Sequence, residues 1–160
     1  MNPRFFPEIN AINQKIAGFN QHLDLKYHVP HLNAERMIED KSCVQIVHGN
    51  WDGFCWPNPD KRGVYFIFGR EKTVVDKNGL YIGKASFSSC MGARLDSHLR
   101  PHKNSEWFVM NGYSNEKYIL DYMATINLDA LDIGFLASGL EEYLITELKG
   151  SIKLINGTGN

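Results

Sequence analysis

Residues 63–84 read GVYFIFGREKTVVDKNGLYIGK, the stretch with the clearest structural pattern in the chain. Its first part, residues 63–68, is rich in β-branched and aromatic residues, which favour a strand. A polar segment follows and ends in Asn78-Gly79, a pair typical of tight turns. Residues 80–84 then predict a second strand. Together these segments predict a β-hairpin with a long connecting loop.

Two helices and a third strand are predicted downstream of this hairpin. Residues 91–99 and 138–148 each repeat an apolar residue at every fourth position, which predicts amphipathic helices. Residues 118–126 alternate weakly between apolar and polar side chains and predict a strand. The element order β-β-α-β-α predicts an α+β domain with a small three-stranded mixed sheet flanked by helices.

The first 60 residues predict an N-terminal helical extension to that domain. Apolar residues spaced three or four apart predict a helix over residues 5–23, namely Phe5, Ile9, Ile12, Ile16, Phe19 and Leu23. A short helix over residues 33–40 and a strand over residues 43–47 are further predictions. We therefore divide the chain into an extension, residues 1–60, and a second domain, residues 61–160.

The composition is that of an ordinary globular protein. The chain has 160 residues, of which 43% are hydrophobic and 22% charged, and its formal net charge is -1. It lacks the run of about 18 apolar residues that a membrane-spanning helix needs, so we expect no membrane partner. Its 3 cysteines form no CxxC pair, which fits a reducing compartment, and we therefore expect a cytoplasmic protein.

Positive charge is concentrated in the middle of the chain. Residues 61–103 contain nine Lys or Arg and three Asp or Glu, whereas both flanking segments are net acidic. A local basic surface can bind a polyanion even when the whole protein is nearly neutral. A solvated surface explains the same charges, so charge alone does not decide between the two interpretations.

The two predicted hairpin strands carry glycine and tyrosine residues with two interpretations each. Tyr65 and Tyr81 could bring their hydroxyl groups to one face of the sheet, although tyrosines are also common in half-buried strands. Glycine weakens a strand, so the presence of Gly63 and Gly83 in the two strands needs a reason. That reason is either a bulge or the close approach of a ligand such as a phosphate.

The charged residues of the two predicted helices also have two interpretations each. Arg94 and His98 are four residues apart and share a helix face, where they would bind a phosphate or simply face solvent. Glu141 follows Ser138 in the Ser-x-x-Glu form of a capping box. Its carboxylate would therefore either support the helix cap or bind a divalent cation such as Mg²⁺.

These short patterns occur in an order that resembles the GIY-YIG nuclease superfamily. The order is Gly63-Val64-Tyr65, Tyr81-Ile82-Gly83-Lys84, Arg94 and His98, Leu140-Glu141 with Leu144-Ile145, and Asn156. The resemblance covers residues 61–157. It implies a metal-dependent endonuclease that hydrolyses phosphodiester bonds in DNA with Mg²⁺ or Mn²⁺, as a compact restriction-like or mobile-element enzyme.

The resemblance assigns activation of the attacking water to the hairpin. Tyr65 would be the general base or would position the water, and Tyr81 would hydrogen-bond the water or the phosphate. A free phenol has a pKa of about 10, so Tyr65 needs nearby positive charge. Lys84 and the metal would supply it, while Gly63 and Gly83 would let the substrate come close.

The resemblance assigns phosphate and metal binding to the helices and the C-terminal segment. Arg94 would neutralise charge on the reacting phosphate, and His98 would hydrogen-bond the phosphate or orient the base. Glu141 would hold a single Mg²⁺. Asn156 would tie the C-terminal segment into the site and support substrate binding.

Two departures from the family pattern leave the register of the site open. The loop inside the hairpin is long, and so is the segment from Gly83 to Arg94. If the helix register slips, Arg100 and His102 take over the two helix positions. Glu142 is the fallback for the metal-binding carboxylate.

Two weaker candidate sites involve the first 60 residues. A set of histidines and cysteines suggests zinc, but the spacings fit no standard structural zinc site: His28, His31, Cys43, His48 and Cys55. Trp51, Phe54 and Trp56 would either pack over the core as a lid or stack on nucleic-acid bases.

Other functions remain open from the sequence. The same fold could be a non-catalytic nucleic-acid-binding module, with salt-dependent binding and no cleavage. Residues 1–60 could instead bind a protein, as in a toxin or regulator. A double-strand cut by the nuclease needs two sites, so the apolar stripe of the N-terminal helix could also form a homodimer contact.

Overall fold

The fold was analysed in a computed structural model that describes residues 1–46, 56–74, 76–99, 106–111 and 114–156. Of residues 98, 99, 106–111 and 114–117 only the backbone is described. The strands are β1 (Cys43–Gln45), β2 (Gly63–Glu71), β3 (Asn78–Ala85), β4 (Glu106–Asn111) and β5 (Ser114–Asn127). The α-helices are α1 (Phe6–Asn20), α2 (Met91–Leu99) and α3 (Ala137–Leu148). Short 3-10 helices lie at Pro3–Phe5, Leu25–Tyr27, Asp129–Leu131 and Gly134–Leu136.

The described strands form one antiparallel sheet that is four strands wide. β5 pairs with β2, and β2 pairs with β3. On its other side β5 pairs with both β1 and β4, which lie end to end because they meet residues 122–124 and 114–119 respectively. β3 is therefore an edge strand, and the C-terminal segment covers part of it through a parallel bridge between Leu80 and Leu154.

Both faces of the sheet are buried because helices cover each of them. Phe66 of β2 packs with α1 and α3 on one face. Tyr65, its neighbour in the strand, packs with Met91 and Leu95 of α2 on the other face. A strand that is covered on both sides carries apolar residues at consecutive positions, which explains the uninterrupted apolar run in β2.

Helix α1 belongs to the main core of the molecule. Ile9, Ile12 and Ile16 are at most 1% exposed and pack in the same cluster as β2 and α3, so the predicted apolar stripe is confirmed. The helix is shorter than predicted at both ends, because Phe5 belongs to a separate 3-10 helix and residues 21–23 form turns and a bend. The stripe is covered within the chain, and it therefore offers no free apolar face for the predicted homodimer contact. The domain boundary at residue 60 stays a prediction, although both parts share this core.

The α+β class, the hairpin and both downstream helices are confirmed. β2 and β3 pair over their whole predicted length. Helix α2 has the predicted bounds, and α3 begins one residue earlier than predicted, with Leu140, Leu144 and Leu148 fully buried. Among the described residues no helix is both long and apolar enough to cross a membrane.

The predicted three-stranded mixed sheet is not confirmed, because the described sheet is antiparallel and includes β1 and β4. β4 was not predicted, although Asn111-Gly112 at its end is a typical hairpin pair. The strand predicted over residues 118–126 is the inner part of β5, which extends further in both directions. The strand predicted over residues 43–47 is the shorter β1.

Asn78-Gly79 is not the hairpin turn, because both residues lie inside β3. The Asn78 side chain hydrogen-bonds the Arg4 backbone carbonyl and the Glu8 carboxylate, and so connects β3 to the start of α1. A Cβ at Gly79 would press on the ring of Tyr118. The two residues therefore make contacts with α1 and β5 that a tight turn would not allow.

Residues 33–40 form successive turns and not the predicted short helix. The Asn33 side chain accepts hydrogen bonds from the backbone N–H groups of Glu35 and Arg36. Asparagine commonly closes such local turns, which compete with helix formation. Lys41 ends the segment in the left-handed region, with a φ of 55°.

Candidate active site

The two hairpin tyrosines lie side by side on the face of the sheet that α2 covers. Tyr65 in β2 is opposite Gly83 in β3, two positions along that strand from Tyr81. Their ring centroids are 6.2 Å apart and the ring planes differ by 20°, a stacked arrangement. Tyr65 is fully buried and Tyr81 is half-buried. The pair therefore extends from the core, at Tyr65, toward the surface, at Tyr81.

Glycine at position 83 lets the Tyr65 ring cross the edge strand. A Cβ at Gly83 would collide with the ring and hydroxyl of Tyr65. Since β3 lies outside β2, the phenol extends over β3 toward the sheet edge. A Cβ at Gly63 would collide with the backbone carbonyl of Ile126 in β5. Both glycines thus have a steric reason within the fold, and their contact with substrate stays a prediction.

Lys84 and Glu141 form an ion pair beside the same edge. The Lys84 Nζ lies 2.9 Å from Oε2 of Glu141, which projects from α3. The Glu141 side chain is 18% exposed and that of Lys84 is 38% exposed. Successive side chains of a strand point to opposite faces, so this pair and the phenol of Tyr81 flank β3 from its two sides.

Glu141 does not belong to a capping box. Helix α3 begins at Ala137, and Leu136 is in the N-cap position without a side-chain hydrogen bond. Ser138 lies inside the first turn, and its hydroxyl is 3.4 Å from the hydroxyl of Ser86. The capping interpretation is wrong because a 3-10 helix runs directly into α3 and shifts its start.

The phenols are held in their protonated form. Burial raises the pKa of Tyr65, and the neighbouring Tyr81 and Glu141 raise it further. Burial and then Glu141 raise the pKa of Tyr81. The positive charge of Arg94 opposes both shifts. Among the described side chains, Arg94 is the one that lowers the pKa of Tyr65, a role predicted for Lys84 and the metal.

Helix α2 brings Arg94 to the phenols. The Arg94 side chain is exposed, and its positive charge lowers the pKa of both tyrosines. His98 lies one turn further along the helix, and its side chain is outside the described part of the structure. The alternatives for a slipped register, Arg100 and His102, also lie outside the described residues.

Asn156 fastens the C-terminal segment to β3. Its side-chain oxygen accepts a hydrogen bond of 2.9 Å from the Ile82 N–H, and its amide donates one of 2.6 Å to the Ile82 carbonyl. Backbone hydrogen bonds of Leu80 with residues 153 and 155 precede this contact. The described pairing with β3 ends at Ile82, so Lys84 follows just beyond it on the edge.

The weaker candidates do not form a site in the described part of the chain. Cys43 is buried, and burial raises the pKa of its thiol to about 12. No three His, Cys, Asp or Glu residues among those described could hold a metal together. Glu142 is exposed, and Trp56 packs on the α2-side core. The predictions at His48, Trp51, Phe54 and Cys55 fall outside the described residues.

The chemistry of Glu141 fits a metal site with a single carboxylate. Mg²⁺ commonly takes one or two protein carboxylates and completes its shell with water and phosphate oxygens. Glu141 is partly exposed and supplies such a carboxylate near the sheet edge. The ion pair uses Oε2, so a cation would bind through Oε1 or replace the Lys84 ammonium.

A shallow cleft beside α2 was missed from the sequence. It has a volume of about 450 Å³, and its lining includes Trp56, Asp60, Cys90 and Asp96. Two segments that are distant in sequence form it, so no local pattern could predict it. Its two carboxylates make it unsuited to binding a phosphate.

No family model, curated protein or solved structure matches this chain. The resemblance to the GIY-YIG superfamily therefore depends on the ordered residues in the sequence.

Proposed function

We propose that this protein is a metal-dependent endonuclease of the GIY-YIG type that hydrolyses phosphodiester bonds in DNA. The observation that carries the proposal is the convergence of Tyr65, Tyr81 and the Lys84–Glu141 ion pair at one edge of the sheet. Hydrolysis of a phosphodiester needs a positioned water, cations for the phosphate and stabilisation of the leaving oxygen. This edge combines groups suited to each of those tasks.

In this proposal the two phenols position the attacking water. Their raised pKa values mean that Tyr65 and Tyr81 are neutral near pH 7 and can both donate and accept hydrogen bonds. A base would have to lose its proton first. Arg94 favours that loss at Tyr65, so the same residue that binds the phosphate would also make the phenol more acidic.

Arg94 and Lys84 would bind the scissile phosphate from the two sides of β3. A guanidinium presents several N–H donors to phosphate oxygens, and an ammonium acts as a compact charge. Glu141 would hold the divalent cation, which when bound polarises the phosphate and stabilises the leaving oxygen. Before the cation binds, the ion pair with Lys84 fixes the position of the carboxylate.

A non-catalytic DNA-binding module is the second candidate function. The observation that favours it is the same ion pair, because Lys84 already neutralises the carboxylate that would bind metal. In that case the basic groups at the edge would hold a phosphate without cleaving it. The two functions differ in one result, which is metal-dependent cleavage.

The test is the incubation of purified protein with supercoiled plasmid in Mg²⁺, in Mn²⁺ and in excess EDTA. The endonuclease proposal expects open circles or linear DNA in the presence of metal and intact plasmid in EDTA. Discrete fragments would indicate a restriction-like enzyme. Plasmid that is bound in a salt-dependent manner but stays intact in both metals would contradict the endonuclease and favour the binding module.

A further inference from the structure

We propose that Phe87 is a wedge that inserts into a base step of duplex DNA next to the scissile phosphate, an inference that rests on the proposed function. Phe87 follows β3 in the turn that leads to α2. Its side chain is 87% exposed, the highest value among the large hydrophobic residues of the described chain. Its backbone φ is 55°, in the left-handed region.

The backbone at Phe87 adopts a conformation that aromatic residues rarely take. The Ser89 N–H donates a 3.1 Å hydrogen bond to the Ser86 carbonyl, so Phe87 occupies the first corner of a tight turn. At a corner with positive φ, Gly, Asn and Asp are the usual residues. The other described non-glycine residues with positive φ are polar, namely Lys41, Asn58 and Asp132. Strain of this kind tends to occur at functional sites.

The surroundings of Phe87 do not compensate for that strain. An aromatic side chain stabilises a fold through the surface that it buries, and this ring is almost fully exposed. The folded protein thus gains little from a phenylalanine at this corner. A role in binding explains why a large apolar side chain is present there.

The turn lies directly against the candidate site. Phe87 comes three residues after Lys84, and the hydroxyl of its neighbour Ser86 is 3.4 Å from that of Ser138. Ser138 is in the first turn of α3, three residues before Glu141. A phosphate bound by Lys84 and Arg94 at this edge would therefore place the adjacent bases near the Phe87 ring.

Duplex DNA is the partner that fits this environment. Proteins that bend DNA insert single apolar side chains between base pairs while nearby basic groups hold the backbone. Lys84 and Arg94 supply basic groups at the same edge. A protein partner would require a wider apolar patch, whereas the rest of the turn, residues 86–89, consists of serine.

The inference can be tested by DNA binding in EDTA, where no cleavage occurs. The probe is a pool of random-sequence DNA duplexes that contain 2-aminopurine, whose fluorescence rises when it unstacks. Three variants are compared with the wild type: Phe87→Gly, which removes the ring and relaxes the backbone, Phe87→Trp, which keeps an aromatic ring, and Leu25→Ala, a control at a residue that is 82% exposed. Their thermal unfolding is recorded in parallel.

We expect Phe87→Gly to bind about tenfold more weakly, without the rise in fluorescence and without loss of thermal stability. Phe87→Trp and Leu25→Ala should bind like the wild type. Wild-type affinity of Phe87→Gly, or a lower stability of this variant, would overturn the inference. If the wild-type protein still cleaves plasmid in that case, the endonuclease proposal is retained and only the wedge is rejected. Binding that depends on Phe87, together with no cleavage of plasmid in metal, would instead support the wedge and contradict the endonuclease proposal.

Discussion

At the scale of single residues, the candidate site depends on which groups carry a proton. Tyr65 is buried among apolar side chains, and Arg94 is the nearby cation that acts on its phenol. Lys84 is instead engaged with Glu141. The two basic residues therefore act on different groups of the protein, Arg94 on the phenols and Lys84 on the carboxylate.

The raised pKa of Tyr65 predicts how stability changes at high pH. An unfolded tyrosine loses its proton near about pH 10, whereas buried Tyr65 keeps it to higher pH. In that range the native state binds more protons than the unfolded state, so the free energy of unfolding falls as pH rises. Below pH 10 this effect is absent.

Urea unfolding at a series of pH values measures this effect. We expect Tyr65→Phe to show a shallower decline of the free energy of unfolding above about pH 10 than the wild type. Tyr27→Phe is the matched control, because Tyr27 is only partly buried and packs against the core cluster on the other face of the sheet. Equal slopes in the wild type and Tyr65→Phe would contradict the raised pKa.

Some features of single residues could be predicted from the sequence and others could not. The order of Tyr65, Tyr81 and Glu141 carries its own pattern, so these residues could be named. Whether Glu141 takes part in a helix cap depends on where α3 begins, and a 3-10 helix decides that; metal binding by Glu141 stays a prediction. The exposure and positive φ of Phe87 belong to the folded backbone and leave no pattern in the sequence.

At the scale of elements, the edge strand β3 joins both parts of the site. The Tyr65 ring crosses it at Gly83, Lys84 extends from its other face, and Asn156 fastens the C-terminal segment to Ile82. The site therefore depends on the shape of this strand over a few residues.

Replacement of Gly83 by alanine tests that dependence. The added Cβ would collide with the Tyr65 ring, so we expect Gly83→Ala to lower the free energy of unfolding by about 1–3 kcal/mol and to reduce cleavage. Gly139→Ala is the matched control, since nothing lies within 4 Å of a Cβ there and the residue is in α3. We expect it to stabilise the protein by about 0.5–1 kcal/mol. Thermal and urea unfolding would record both effects, and an unchanged Gly83→Ala protein would contradict the packing of Tyr65.

Elements with a strong local pattern could be predicted, and those defined by distant partners could not. Helices α2 and α3 repeat apolar residues along one face, which a single helix is sufficient to explain. Asn78-Gly79 has the local pattern of a turn but lies in a strand, because Asn78 bonds α1 and Gly79 packs under Tyr118. These contacts join residues that are far apart in sequence.

At the scale of the whole molecule, α1 and the sheet share one core. Ile12 is fully buried in the cluster that also contains Phe66 and Leu144. Lys15, on the same helix, forms an exposed ion pair with Glu147 of α3. Since both contacts join α1 to the sheet-bearing part, we expect the chain to unfold in a single transition.

Two substitutions in α1 test this expectation by urea unfolding. Ile12→Ala should lower the free energy of unfolding by about 2–5 kcal/mol, because it leaves a cavity in the shared core. Lys15→Ala should change it by less than about 1 kcal/mol, because exposed ion pairs contribute little. Two separate transitions, with Ile12→Ala affecting only one of them, would show that residues 1–60 fold independently.

The most direct test of the proposed nuclease compares plasmid cleavage by Glu141→Gln and Glu142→Gln in saturating Mg²⁺. Both changes remove one negative charge from the same helix, but Glu141 pairs with Lys84 at the edge of the sheet whereas Glu142 is exposed. We predict that Glu141→Gln loses cleavage by about a hundredfold or more while Glu142→Gln retains most of it. Equal cleavage by the wild type and Glu141→Gln would contradict the assignment of the metal to Glu141.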